Sequence, residues 1–332
     1  MHEVIADIDR WRETESNIAL ATVIHTWGSA PRKTGAKMAI APGNLLSGSV
    51  SGGCVEGAVY DAGIETLATG QPQLLQFGVA DETAWEVGLA CGGSISVWVE
   101  PVIDATYEKV REILANDEAG AIVTVLSEGA YFGRKRIYHK TGSTGSIDPP
   151  LDSLIDSLAQ EAIQSGTPLT ASALDPITAS PIDLFVDVLL PAAQLIMVGG
   201  VHIAQALTGM AKMLGYRTVV VDPRRAFGTD ERFPNVDELI QQWPKKAFSK
   251  LTVNENTAVA LLTHDPKIDD PAITSVIDSQ AFYIGALGSR KTHAKRKQRL
   301  ADKGFSEAQI GRIHGPIGLD IKAHNPEEIA LS

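Results

Sequence analysis

Short apolar runs separated by glycine-rich turns set the pattern of the first hundred residues. IALATVIHTW (18–27), KMAIAP (37–42) and SISVWVEP (94–101) predict strands. Between them lie GSAPRKTG (28–35), LLSGSVSGGCVEG (45–57) and GLACGGS (88–94). Over 54–69, Val55, Val59 and Ala62 recur on one face and predict a helix. The next segment, 102–190, carries a predicted helix near 104–115 and predicted strands near 120–126 and 130–138. A stretch rich in Ser, Thr and Pro over 141–182 then reads as a linker or excursion. From 192 the rhythm changes. AAQLIMVGG is an apolar strand running into glycines, followed by a helix with Ile203, Leu207, Met210 and Leu214 at helical spacing. RTVVVD (217–222), AVALLT (258–263) and AFYIGALG (281–288) follow as strands, each leading into helix-like sequence.

Strand, helix, strand in this order is the mark of a parallel, doubly wound sheet. The expected fold class is therefore α/β: a Rossmann-like C-terminal domain over 191–332, preceded by an α+β domain over 1–190. The chain of 332 residues is long enough for two cores. Its 29 basic and 40 acidic side chains leave a formal charge of −11, which argues against nucleic acid as the main partner. Cys54 and Cys91, the two cysteines, are too few for a disulfide scaffold or a four-cysteine zinc site. The start, MHEVIADIDRW, lacks the basic end and apolar run of a signal peptide. No apolar stretch approaches about 18 residues, the length a membrane span requires. A cytoplasmic protein is the expectation.

Ligands of open α/β sheets bind at the carboxyl ends of the strands. Here those ends carry Gly199, Gly200 and His202; Asp222 and Arg224; His264 and Asp265; and Gly285, Gly288, Ser289, Arg290 and Lys291. Asp222 follows Gly199 by 23 residues, a spacing suited to a ribose-binding carboxylate. Val201 stands where a dinucleotide fingerprint has glycine, which weakens the case for NAD(P). Ser289 caps a helix with a basic first turn, a place that favours an anion. Six of the residues 290–299 are basic; Arg290 and Lys291 are the candidates for phosphate, and Lys295, Arg296, Lys297 and Arg299 read as a solvated face.

The second candidate region is the pair of cysteines. Cys54 lies in Gly52-Gly53-Cys54-Val55-Glu56, where a glycine turn enters a helix. A thiol there has its thiolate favoured by the helix start, unless Glu56 turns its carboxylate toward the sulfur. Cys91 precedes Gly92-Gly93, and glycines beside both thiols leave the sulfurs accessible.

These motifs together, ATVIHTWGSAPRKTGAKMAI, SGSVSGGCVEGAV, GLACGGSISVWVEP, GGVHIAQAL, VVVDPRRAF, LLTHDP, YIGALGSRKT and GPIGLDIKAHNPEEIA, strongly resemble the XdhC/CoxI family of maturation factors for molybdenum hydroxylases. The resemblance covers roughly 15–101 and 192–332. It implies a chaperone rather than a catalyst. Such a chaperone binds the molybdenum cofactor, as molybdopterin or its cytidine dinucleotide form, and protects it while a cysteine desulfurase supplies sulfur. It then delivers the cofactor to a xanthine dehydrogenase-like apoenzyme. The implied site residues are Cys54 and Cys91 with Gly52, Gly53 and Glu56 in the N-terminal domain. In the C-terminal domain they are the strand-end residues named above together with Asp320. A homodimer is the expected assembly. Two readings from other classes are an NAD(P)-dependent oxidoreductase and a thiol-based sulfur-handling or redox protein without pterin.

Overall fold

The computed structural model describes residues 1–14, 17–78, 93–176 and 178–332. The chain divides into two compact units, Met1–Pro191 and Ala192–Ser332.

The first unit opens with α1 (Ile5–Arg12), β1 (Ala19–Trp27), β2 (Lys37–Ala41) and β3 (Leu45–Gly48). Helix α2 (Glu56–Thr69) and strands β4 (Gln73–Phe77) and β5 (Ser94–Pro101) follow. These strands form an antiparallel sheet in the order β3-β2-β1-β5-β4. All of β2 is buried because both faces of the sheet are covered. Met38 and Ile40 join Val55 and Val59 on the α2 side, while Ala39 and Ala41 join Ile8 and Trp11 of α1. Helix α2 sits close to the sheet through Gly63, where an added Cβ would lie 2.6 Å from Ile40 Cδ1.

A second sheet completes this unit. Helix α3 (Asp104–Ala115) leads to β6 (Gly120–Val125), β7 (Lys135–His139), β8 (Gly142–Thr144), α4 (Pro149–Ser165), β9 (Leu169–Leu174) and β10 (Pro181–Leu189). Its strand order is β8-β7-β6-β10-β9, again antiparallel. The stretch 141–182, expected as a linker, is thus folded. Its helix α4 starts on Pro149 and Pro150, which suit a first helical turn, and buries Leu151, Ile155, Ala159 and Ala162 at helical spacing. Arg136 fastens α4 to β7 through two bonds to Asp156, each 2.8 Å. The sheets of this unit are joined across their interface by a buried pair, Lys37 Nζ to Asp187 Oδ2 at 2.7 Å, with Lys37 also donating to Thr22.

The second unit is a six-stranded sheet of β11 (Gln194–Val198), β12 (Arg217–Val221), β13 (Glu238–Ile240), β14 (Thr257–Leu261), β15 (Tyr283–Ala286) and β16 (Ile313–His314). Every neighbouring pair is parallel, in the order β13-β12-β11-β14-β15-β16. This is the doubly wound Rossmann order, with its reversal between β11 and β14. Helices cover both faces. Helix α5 (His202–Met213) packs Ala204 against Met197, Val220 and Ala260. Helices α6 (Pro244–Phe248), α7 (Pro266–Val276), α8 (Arg290–Asp302) and α9 (Glu307–Gly311) close over Ile196, Val219 and Val259 on the other face. Helix α10 (Pro326–Leu331) packs against α5. The inward face of α5 is Ala204, Thr208 and Ala211, so Leu214, expected on that face, is instead an exposed cap residue. Strands β13 and β16 escape the hydrophobic pattern because each is only two or three residues long. Among the described residues no helix is long and apolar enough to cross a membrane.

Candidate functional site

In the first unit, glycine-rich turns meet at one end of the β1–β5 sheet. Trp27, at the end of β1, pairs in register with Ser94 at the start of β5. A Cβ on Gly93 would lie 2.6 Å from the Trp27 carbonyl oxygen, so only glycine fits this approach. Arg32, from the turn after β1, donates from Nε to the Ser49 carbonyl at 3.0 Å. Cys54 therefore sits beside a junction of the 28–35, 49–54 and 93–94 segments. Cys91 lies outside the described residues.

The turn from β3 into α2 is organised by Glu56. Its Oε1 accepts from Ser49 Oγ (2.6 Å) and from the N–H groups of Val50, Ser51 and Gly52 (3.2, 2.8 and 2.9 Å). Its Oε2 accepts from Ser51 Oγ (2.5 Å) and Gly53 N–H (2.8 Å). Burial alone would push this carboxyl up, but the Ser49 and Ser51 hydroxyls and the backbone donors outweigh it and bring its pKa down to about 2. Cys54 is half-buried, and its N–H donates to Ser51 Oγ at 3.0 Å. Helix α2 begins only at Glu56, and the turn donors are already engaged by Ser51 and Glu56. The carboxylate likewise points into its own loop, so Glu56 has no free oxygen to offer a ligand.

In the second unit the strand-end residues lie along one edge, since all six strands run the same way. The two halves of that edge differ. On the β11–β12 side, Gly199 has φ +113° and would bring a Cβ within 2.5 Å of Thr263 Cγ2. A Cβ on Gly200 would lie 2.3 Å from the Phe227 carbonyl oxygen. Gly200 N–H donates to Asp222 Oδ2 at 2.7 Å, and Arg232 donates to the Gly200 carbonyl at 3.0 Å. Asp222 is fully buried and is gripped by Arg224 through its N–H (2.9 Å), Nε (2.9 Å) and Nη2 (2.7 Å). Burial opposes its ionisation, yet the bonds from Arg224 and Gly200 hold the carboxyl below its ordinary range. Arg224 also stacks 4.0 Å over the Phe227 ring. The expected ribose-binding carboxylate is therefore satisfied from within, and the segment 224–233 packs onto the glycine turn. His202 stands exposed at the start of α5.

The β14–β15 side is open. A cleft of about 630 Å³ is lined by His264, Gly288, Ser289, Arg290, Asp320 and Ile317 among others. Ser289 caps α8 by accepting from Thr292 N–H at 3.2 Å. Arg290 is exposed in the first turn of α8, and Lys291, also exposed, is not part of the cleft lining. Asp320 is held below its usual range, chiefly by Lys322 and in part by the charge of Arg290. Asp265 is used structurally, accepting from Lys267 N–H at the start of α7. Gly285 is a strand residue, present because a Cβ would lie 2.6 Å from both Ile317 Cδ1 and Tyr283 Cε1.

The basic face of α8 is also corrected. Arg296 is 2% exposed and donates from Nη2 to the Leu287 carbonyl (2.9 Å) and to Asp269 Oδ2 (3.3 Å). Arg299 makes two 2.9 Å bonds to Asp270. Only Lys295 and Lys297 of the four are exposed. Asp269 is not among the residues singled out by the sequence; its signal there is an acidic pair inside the apolar run of α7. Burial raises its carboxyl to about 6, against the Thr263 and Arg296 bonds that lower it.

Residues 195–332 match the XdhC Rossmann domain, and residues 11–78 match the XdhC and CoxI family. The chain is 29% identical to a Bacillus subtilis protein named as a probable subunit of xanthine dehydrogenase, over 98% of this chain and 93% of that protein. It is 26% identical to the molybdenum cofactor insertion chaperone PaoD of Escherichia coli, over 94% of this chain and 80% of that protein. A crystal structure described as a xanthine dehydrogenase from Bacillus halodurans superposes with a TM-score of 0.79 at 24% identity, covering 99% of this chain and 92% of that one.

Proposed function

Since the chain belongs to the XdhC and CoxI family, we propose that it is an accessory factor of a molybdenum hydroxylase, carrying the molybdenum cofactor as cargo. The cofactor is protected on the chaperone while a cysteine desulfurase provides its terminal sulfur, and it then passes to a xanthine dehydrogenase-like apoenzyme. The observation that carries this reading is the uneven edge of the Rossmann sheet. At Asp222 the ribose position is taken by Arg224, whereas at Arg290 a cleft stands open. A dinucleotide in the usual pose needs the first; the terminal phosphate of a pterin needs only the second. Arg290 can clamp two phosphate oxygens, and a charge-assisted contact of this kind is worth roughly 1.5–3 kcal/mol. Because the chain is acidic overall, at −11, a local cation is needed to draw an anionic cargo.

The Cys54 thiol, in the first unit, is a separate candidate for contact with the cargo. A soft sulfur suits the molybdenum and dithiolene end of the cofactor better than a hydroxyl does. To test the reading, the purified chain is incubated with molybdenum cofactor, separated by size, and assayed by mass spectrometry and by activation of an apo-hydroxylase. Cofactor retained with the chain and faster activation are expected. Retention of NAD(P) in its place would replace this reading with that of an oxidoreductase.

A further inference from the structure

We infer that Glu56 is a positioning residue for the Cys54 thiol: an internal anion around which the loop 49–53 is folded. The inference deepens the proposed role of Cys54 and rests on it for its functional consequence, but its geometry stands alone. Successive backbone N–H groups aimed at one centre form a nest, an arrangement that ordinarily binds an anionic ligand. Here the N–H groups of Val50, Ser51, Gly52 and Gly53, with the hydroxyls of Ser49 and Ser51, all converge on the Glu56 carboxylate. A carboxylate offers about four lone-pair sites, which these six donors fill, and donors so engaged are not free for an incoming phosphate. The nest is filled by the chain itself.

The glycines of the motif serve this backbone. Gly52 and Gly53 have φ of +82° and +118°, which lets their N–H groups turn inward. A Cβ on Gly53 would meet nothing within 4 Å, and one on Gly52 only Pro31 carbons at 3.8 Å. Packing therefore does not require glycine at either position. The same absence of side chains leaves a bare, exposed ledge next to Cys54. Ser51 transmits the order: its hydroxyl donates to Glu56 and accepts from the N–H groups of Cys54 and Val55, both at 3.0 Å. The carboxylate thus sets Ser51, and Ser51 sets the backbone from which the thiol projects.

Hydrogen exchange on the full-length chain tests this, with thiol alkylation measured in a Cys91→Ser background. In Glu56→Gln the amides of Ser51, Gly52 and Gly53 are expected to exchange at least tenfold faster, while those of Val59–Thr66 in α2 keep their protection. Iodoacetamide is expected to modify Cys54 at least fivefold faster. Ser51→Ala carries the same expectation for Cys54 should Glu56→Gln fail to accumulate. Glu65→Gln, on the exposed side of α2, should change neither readout. Unaltered exchange at 51–53, or equal loss of protection along α2, would overturn the inference. Retention of the molybdenum cofactor separates the two layers. If exchange and alkylation rise while retention is unchanged, the thiol-site reading fails and the role of Glu56 stands.

Discussion

The loop before α2 and the edge of the Rossmann sheet pose the same electrostatic problem and solve it in opposite ways. Each brings backbone N–H groups to the start of a helix, where an anion is welcome. In the loop the anion is built in, as Glu56, with both oxygens consumed. At the sheet edge the Asp222 half is likewise satisfied internally, by Arg224, but the Ser289–Arg290 end faces a cleft with its guanidinium exposed. A glycine-rich turn at a helix start is therefore not by itself a ligand site. What decides is whether a side chain from the same fold has already taken the donors.

The sharpest contrast to break lies within α8, between two arginines six residues apart. Arg296→Ala should destabilise the second unit by about 3–5 kcal/mol, because Asp269 loses the partner of a buried charge. Arg290→Ala, at an exposed position, should stay within about 0.5 kcal/mol of the parent chain. Denaturant unfolding followed on both variants checks this, and equal losses would erase the distinction between structural and ligand-facing cations.

Next in size is the effect on the thiol. Cys54→Ser should lower cofactor retention at least fivefold with the unfolding midpoint unchanged, since Cys54 is half-buried and its N–H bond to Ser51 survives the substitution. Equal retention and equal maturation of the target would remove Cys54 from the account.

The smallest expected effect is on pH dependence. Asp269 is raised by burial to about 6, above its ordinary value of 3.8, so the folded state holds a proton that the unfolded state releases between these values. Its contribution to stability is complete below about pH 4 and is lost as pH rises through about 6. Relative to Asp269→Asn, the wild-type chain should gain up to a few degrees in Tm between pH 7 and pH 5. A difference that moves the other way would mean that Arg296 dominates the site.

Much of the second unit is legible in the sequence because parallel strands covered on both faces are written as unbroken apolar runs, as in Leu195–Val198 and Ala258–Leu261. With those strands placed, His264, Gly288, Ser289 and Arg290 fall on one edge by direction alone. The inward turn of Arg296 is not legible, because its partner Asp269 lies 27 residues away on another helix. Helix α4 hides for a different reason: Pro149, Pro150 and its serines look like linker, although Leu151, Ile155, Ala159 and Ala162 keep helical period. The Glu56 nest also escapes sequence reading. The residues are adjacent in the motif, yet whether the carboxylate turns toward the sulfur or back into the loop depends on the φ angles of Gly52 and Gly53.

We propose that the anionic end of the cargo is held at the open part of the sheet edge. Equilibrium titration of the molybdenum cofactor into the wild-type chain, Arg290→Ala and Lys295→Ala, each at low and high salt, tests it most directly. Lys295 is the appropriate control, being an exposed cation of α8 outside the cleft lining, whereas Arg299 is tied to Asp270. Arg290→Ala is expected to weaken binding at least about tenfold, with the larger loss at low salt, and Lys295→Ala to bind as the parent does. Equal affinities for all three chains, or equal losses in both variants, would contradict it.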